Sequence, residues 1–241
     1  STYLTGLPPS GHGAVANGWF DRELAEHHFW KQSNRLVHGE KLWETCRARV
    51  AAGTPAATFT CAKLFWWYNM YSTADWSITP RPMYPADGRK VFDVASHPLS
   101  IRDAIKRDLG PFPFPAFWGP MAGLASSAWI AKSAEWIEER HRPDLSLVYL
   151  PHLDYNLQRL GPDDPRIAED CRAIDGVAGG LMDFYAQRGV RTVVLSEYGI
   201  TAVRRAIALN RLFRAQGWLT IKDELGFNLL DCGASRVFAI A

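Results

Sequence analysis

Two apolar runs separated by a long helical stretch predict an α/β fold: a mostly parallel sheet flanked by helices. Residues 145–150 (Leu-Ser-Leu-Val-Tyr-Leu) and 191–195 (Arg-Thr-Val-Val-Leu) are near-continuous apolar runs, the pattern of parallel strands covered on both faces. Between them Asp164-Pro165 opens a helix, proline being suited to the first helical position, and Gly189 closes it. Strand, helix, strand in that order implies parallel neighbours joined by a crossover. The 241 residues, 47% of them hydrophobic, suffice for one domain with a sizeable buried core.

Each element follows from its local pattern. Residues 40–52 read as a helix ended by Gly53, with Leu42, Cys46 and Val50 four apart on its inner face. Residues 59–71, rich in aromatics, read as a buried strand that turns near Ser72. Residues 76–79 form a second short strand closed by Pro80 and Pro82, and Pro85-Ala-Asp-Gly88 is a turn. Residues 98–109 read as a helix between Ser96 and Gly110. Prolines 111, 113, 115 and 120 then hold residues 110–121 as a loop, and residues 124–140 return to helix with Trp129 and Trp136 a heptad apart. After the strand at 191–195 come a helix at 204–216 stopped by Gly217 and short strands at 218–221, 227–230 and 236–241. Residues 54–120 stand out as a candidate inserted or cap-like, aromatic-rich subregion of the domain spanning 1–241.

Composition removes several classes. The 27 basic and 25 acidic residues give a formal charge of +2 with no basic block, so charge does not indicate nucleic-acid binding. No apolar run is long enough to span a bilayer. Cys46, Cys61, Cys171 and Cys232 are widely spaced, with no CxxC pair. They read as free thiols of a reducing compartment, and with no secretory signal at residues 1–5 this favours a cytoplasmic location.

Residues 5–21 carry the densest signal. Pro8-Pro9 and Ser10-Gly11 turn the chain, which makes residues 6–13 a loop. The pattern Thr5-Gly-Leu-x-Pro-x-x-His-Gly-x-x-x-Asn17 resembles the type I phosphodiesterase/nucleotide pyrophosphatase family of the alkaline phosphatase superfamily. The resemblance implies an alkaline phosphatase-like fold and hydrolysis of a phosphodiester or pyrophosphate bond in a small phosphorylated substrate. It places the nucleophilic Thr or Ser just before residue 1 and a further His ligand beyond residue 241, so the chain reads as a piece that is inactive alone. Asn17 would donate its amide to a phosphate oxygen, although Asn17-Gly18 is also an ordinary turn dipeptide. His12 reads as a structural hydrogen-bonding residue of the loop.

In open parallel sheets ligands sit outside the carboxyl ends of the strands. Residues 151–162 and 196–200 leave such ends, which brings Asp154 and Glu197 toward one rim. The family supplies Asp and His from the first loop and Asp-His-Gly from the second, holding two zinc ions. Asp154, Gly161-Pro162 and Gly199 match. Gln158, Glu197 and Tyr198 stand where His, Asp and His are expected. Glu197 keeps a carboxylate, Gln158 offers a weak amide oxygen, and Tyr198 binds zinc poorly unless ionised. The altered oxygen set suits manganese or magnesium better than zinc. Gln158 and Tyr198 either line the site or fill the space of the absent imidazoles. His152 is the nearest remaining imidazole in that loop, in reach of a ligand role or rotated away. A family member with altered or lost hydrolysis, keeping a phosphate-binding cleft, is the alternative reading. The run at residues 65–68, with Trp66 and Tyr68 as candidates, is either a stacking wall for a substrate ring or core packing; consecutive aromatics cannot all face one way.

Overall fold

The computed structural model describes residues 1–54 and 58–240. Two short helices, α1 (Thr2–Thr5) and α2 (Pro9–His12), precede a hairpin of β1 (Gly18–Asp21) and β2 (Glu26–Phe29). Then come α3 (Leu42–Gly53), β3 (Cys61–Leu64), β4 (Trp76–Met83), β5 (Val91–His97), α4 (Leu99–Leu109) and α5 (Leu124–His141). The remainder is β6 (Leu145–Val148), α6 (Leu153–Leu160), α7 (Ile167–Ala186), α8 (Leu209–Ala215), and a hairpin of β7 (Thr220–Glu224) and β8 (Phe227–Asp231).

The central sheet has the order β5-β4-β3-β6. β3 runs parallel to β4 and β6, while β4 and β5 are antiparallel, so the sheet is mixed rather than mostly parallel. Side chains alternate across it. Ala62 and Leu64 face a core built with α4, α5 and α7, including Ile105, Trp129, Ile130 and Ile137. Cys61 faces a smaller cluster with Leu4, Trp43 and Ala74, joined by Leu145 and Leu147. Helices thus cover both faces, as expected for α/β architecture.

Several expected elements differ. β4 runs straight through Pro80 and Pro82 and pairs with β5 from Ser77 to Met83. Ile78 sends its carbonyl toward the β3 side, to the Phe65 N–H. Pro80 and Pro82 share its orientation two and four residues on, so their missing N–H groups fall on the side where β3 has already ended. The expected strand at 59–71 shrinks to β3, because Phe65, Tyr68 and Tyr71 adopt left-handed backbone angles and turn the chain into a loop. The inner face of α3 is carried by Trp43, with Cys46, Arg47 and Val50 partly covered, while Leu42 is exposed. Helix α6 and strand β5 lie where no element was expected.

Residues 191–195 form no strand. Val193 and Val194 are 78% and 72% exposed, and β6 is an edge of the sheet among the described residues. A strand exists only with a ladder to complete, and none is offered to this segment among the described residues. The helix expected at 204–216 contracts to α8, whose flanks bury no face, and short helices are marginal without one. Residues 236–240 form no strand, and Ala241 lies outside the described residues, as do residues 55–57 of the candidate cap-like stretch. Surface area shows the consequence. The fold exposes 15411 Å², whereas a compact monomer of this mass exposes about 11,000 Å².

Candidate functional site

The N-terminal segment is ordered by a buried histidine. His12, at the end of α2, accepts the Ala14 N–H at Nδ1, so its Nε2 carries the proton and faces Thr2 Oγ1 at 3.1 Å. Burial lowers its pKa and keeps the ring neutral, the structural role expected for it. Asn17 follows at the start of the β1–β2 hairpin. Its carbonyl accepts the Trp30 N–H at 2.9 Å, so the backbone closes the hairpin, and the exposed Asn17 lines a shallow recess. Trp30, Lys31, Gln32, Trp67 and Tyr68 line the same recess.

A second group forms beyond the carboxyl end of β6. Asp154 lies in the first turn of α6. Its Oδ1 accepts Gln158 Nε2 at 2.8 Å and the Tyr198 hydroxyl. The Tyr3 hydroxyl donates to the Ser196 carbonyl at 3.0 Å, which ties α1 to the segment carrying Glu197. Burial raises the Glu197 pKa, and the Asp154 carboxylate adds to it. Burial also holds the Tyr198 phenol above its ordinary value, reinforced by its hydrogen bond to Asp154. Tyr149 is pushed up first by burial and then by Glu197 and Asp154. Two carboxylates and two un-ionised phenols therefore share one locality. Residues 196–198 reach it although residues 191–195 make no strand.

His152 turns elsewhere. It is buried at the start of α6, with Nε2 3.4 Å from Asp170 of α7. Trp66 also faces away from the recess, packed against the Leu4–Trp43–Cys61 cluster. Tyr68 stays, its hydroxyl donating to the Ala16 carbonyl at 3.2 Å beside Asn17. Trp30, Trp67, Trp118 and Tyr149 were not singled out from sequence. Trp67 lies within the flagged run, but only backbone direction decides which of two adjacent tryptophans faces the recess.

A metal centre needs three or four converging ligands. Among the described residues no three His, Cys, Asp or Glu side chains come together. Asp154 already accepts two donors, and Tyr198 is held as a phenol rather than a phenolate. The residues present do not fit a closed zinc centre.

The type I phosphodiesterase / nucleotide pyrophosphatase family model matches residues 1–240. The uncharacterized pyrophosphatase/phosphodiesterase C725.05c of Schizosaccharomyces pombe is 32% identical over 87 residues, or 33% of this chain. The match spans 18% of that relative's length. With a family model covering almost every residue, the chain belongs to the type I phosphodiesterase / nucleotide pyrophosphatase family.

Proposed function

We propose that this chain contributes the phosphate-binding part of a hydrolase that cleaves a phosphodiester or pyrophosphate bond in a small phosphorylated substrate. The convergence of Asp154, Glu197 and Tyr198 with the α1 segment carries the reading, in a chain matched by the family along its length. The Asn17 amide donates to a non-bridging phosphate oxygen without adding charge. The attacking hydroxyl belongs to a Thr or Ser about five residues before Ser1, by the family's motif spacing. Asp154 and Glu197 are the carboxylates this chain would offer to a divalent ion, with the remaining ligands coming from outside residues 1–241. The kinship with alkaline phosphatases is part of the same proposal. Among the described residues no helix is long and apolar enough to cross a membrane. The test loads the full-length protein with zinc, manganese or magnesium and offers bis(p-nitrophenyl) phosphate and dinucleotides. Cleavage of one of them is expected, and no cleavage under any metal sinks the proposal.

One observation favours a second reading. Gln158 and Tyr198 both donate to Oδ1 of Asp154, one of the two oxygens it could offer to a metal. A member with lost hydrolysis would keep such bonds and bind a phosphorylated metabolite without cleaving it. Metal analysis separates the two readings: two tightly held ions per full-length chain argue for hydrolysis.

A further inference from the structure

A second group of charges lies at the opposite end of β6 from Asp154. Helix α5 ends at His141, just before this strand begins, and α7, which packs against α5, ends at Ala186. Their last turns and the residues that follow bring Glu138, Glu139, Arg142 and Arg188 around a cavity of about 400 Å³. Small-molecule sites run from roughly 300 to 1,000 Å³, so the space suffices for a metabolite of a few heavy atoms.

Glu138 is the buried member. It is 5% exposed, and its Oε2 is shut off from solvent without a hydrogen-bond partner among the described residues. Burial raises its pKa, while Arg188 and Arg142 oppose the shift. Neither guanidinium bonds to that oxygen, because Arg188 is held elsewhere. Its Nη1 donates to the Phe184 carbonyl at 3.2 Å, its Cζ lies 3.6 Å from the Phe184 ring centroid, and its Nη2 stands 3.7 Å from Glu139. A buried carboxylate oxygen left without a donor is costly, and native structures supply a partner for such groups.

Arg142 is fixed by the helix end. It adopts a left-handed φ of 47° at the close of α5, where glycine is usual, and its N–H closes the last turn on the Glu138 carbonyl at 3.1 Å. It is exposed, and its guanidinium makes no hydrogen bond or ion pair among the described residues.

Ligand chemistry follows from this lining. Two carboxylates and two guanidiniums surround the cavity, so a ligand of one sign alone meets repulsion from half of them. The C-terminal ends of two helices add partial negative charge, which favours a cationic group at Glu138. The guanidiniums suit an anionic group at the other end of the same molecule.

We propose that this cavity binds a small amino acid, its ammonium group donating to Glu138 and its carboxylate meeting Arg142 and Arg188. The site is separate from the phosphoester reading and does not depend on it. Calorimetry on the full-length protein compares γ-aminobutyrate and β-alanine with butyrate and butylamine, which carry one charge each, at constant ionic strength. At least one amino acid binds about tenfold tighter than either singly charged compound. Glu138→Gln, close to isosteric, lowers that affinity to the level of butyrate, and Arg142→Gln lowers it to or toward that of butylamine. Near-ultraviolet circular dichroism checks that each variant folds. If Glu138→Gln does not fold, Arg142→Gln, at an exposed position, supplies the comparison. No binding of either amino acid, binding no tighter than that of the singly charged compounds, or an affinity unmoved by either substitution overturns the site.

Discussion

Lys63 sits in the interior of β3 with no exposed surface, and it gives the fold a measurable dependence on pH. Its Nζ donates to the Tyr68 carbonyl at 2.8 Å and lies 5.5 Å from the Trp43 ring centroid. Burial lowers its pKa from 10.5 to about 7, Cys61 opposing the shift and Lys41 adding to it. In the unfolded chain the amine regains its ordinary value. Above pH 7 the unfolded state therefore holds more protons than the folded one, and stability rises with pH until the unfolded amine also titrates. Between pH 7 and pH 8.5 the gain from this residue comes to about 1.5 kcal/mol. Lys63→Met keeps the length and removes the charge. Asn34 still donates to the Tyr68 carbonyl at 2.9 Å, so that acceptor is not orphaned. Urea unfolding of both proteins at constant ionic strength across this range isolates the contribution, because other groups cancel in the difference. The wild type should gain on the variant as pH rises. Parallel stability curves would refute a buried, depressed amine.

Asn69→Ala removes both amide bonds that hold the 65–71 loop, to Lys63 and Ile78. Two lost buried bonds cost about 2–4 kcal/mol in urea unfolding, and the near-ultraviolet tryptophan signal changes with the loop. Tyr198→Phe removes a donor from Asp154. If that donor competes with a cation, manganese binding by the full-length protein tightens by roughly three- to tenfold in calorimetry. Weaker binding would instead show that the phenol orients the carboxylate for the metal.

The helices were legible where punctuation and apolar period agreed. Helix α4 ends at Gly110, α7 starts soon after Asp164-Pro165, and α5 carries Trp129 and Trp136 inward. The sheet was less so. Proline reads as a strand terminator because its missing N–H usually breaks a ladder. Pro80 and Pro82 escape that rule because their positions face the side that β3 has vacated. Strand pairing is a property of the neighbour, and a single sequence shows the strand alone. The same limit explains residues 191–195, whose apolar pattern suits a covered strand although no ladder is offered to it among the described residues.

The site divides along the same line. Asp154 and Glu197 were found by their positions after apolar runs, Gln158 and Tyr198 by the family resemblance, and three of the four join through hydrogen bonds at Asp154. What chain position could not supply was direction. His152 and Asp154 are two residues apart at the start of one short helix, where successive side chains point about 100° apart, and His152 goes to Asp170 instead. Trp66 and Trp67 diverge for a related reason, as the backbone leaves β3 and enters a left-handed turn at Phe65. Where the family resemblance implies two imidazoles this chain has an amide and a phenol, and the difference is more than ligand softness. A neutral imidazole offers a lone pair to a metal, whereas Gln158 and Tyr198 here turn N–H and O–H groups onto the carboxylate. They convert Asp154 Oδ1 from an oxygen open to a cation into one that already accepts two donors, while Oδ2 takes neither. That conversion, more than the loss of any single ligand, separates the hydrolase from the binding-only reading, and metal stoichiometry in the full-length protein decides between them.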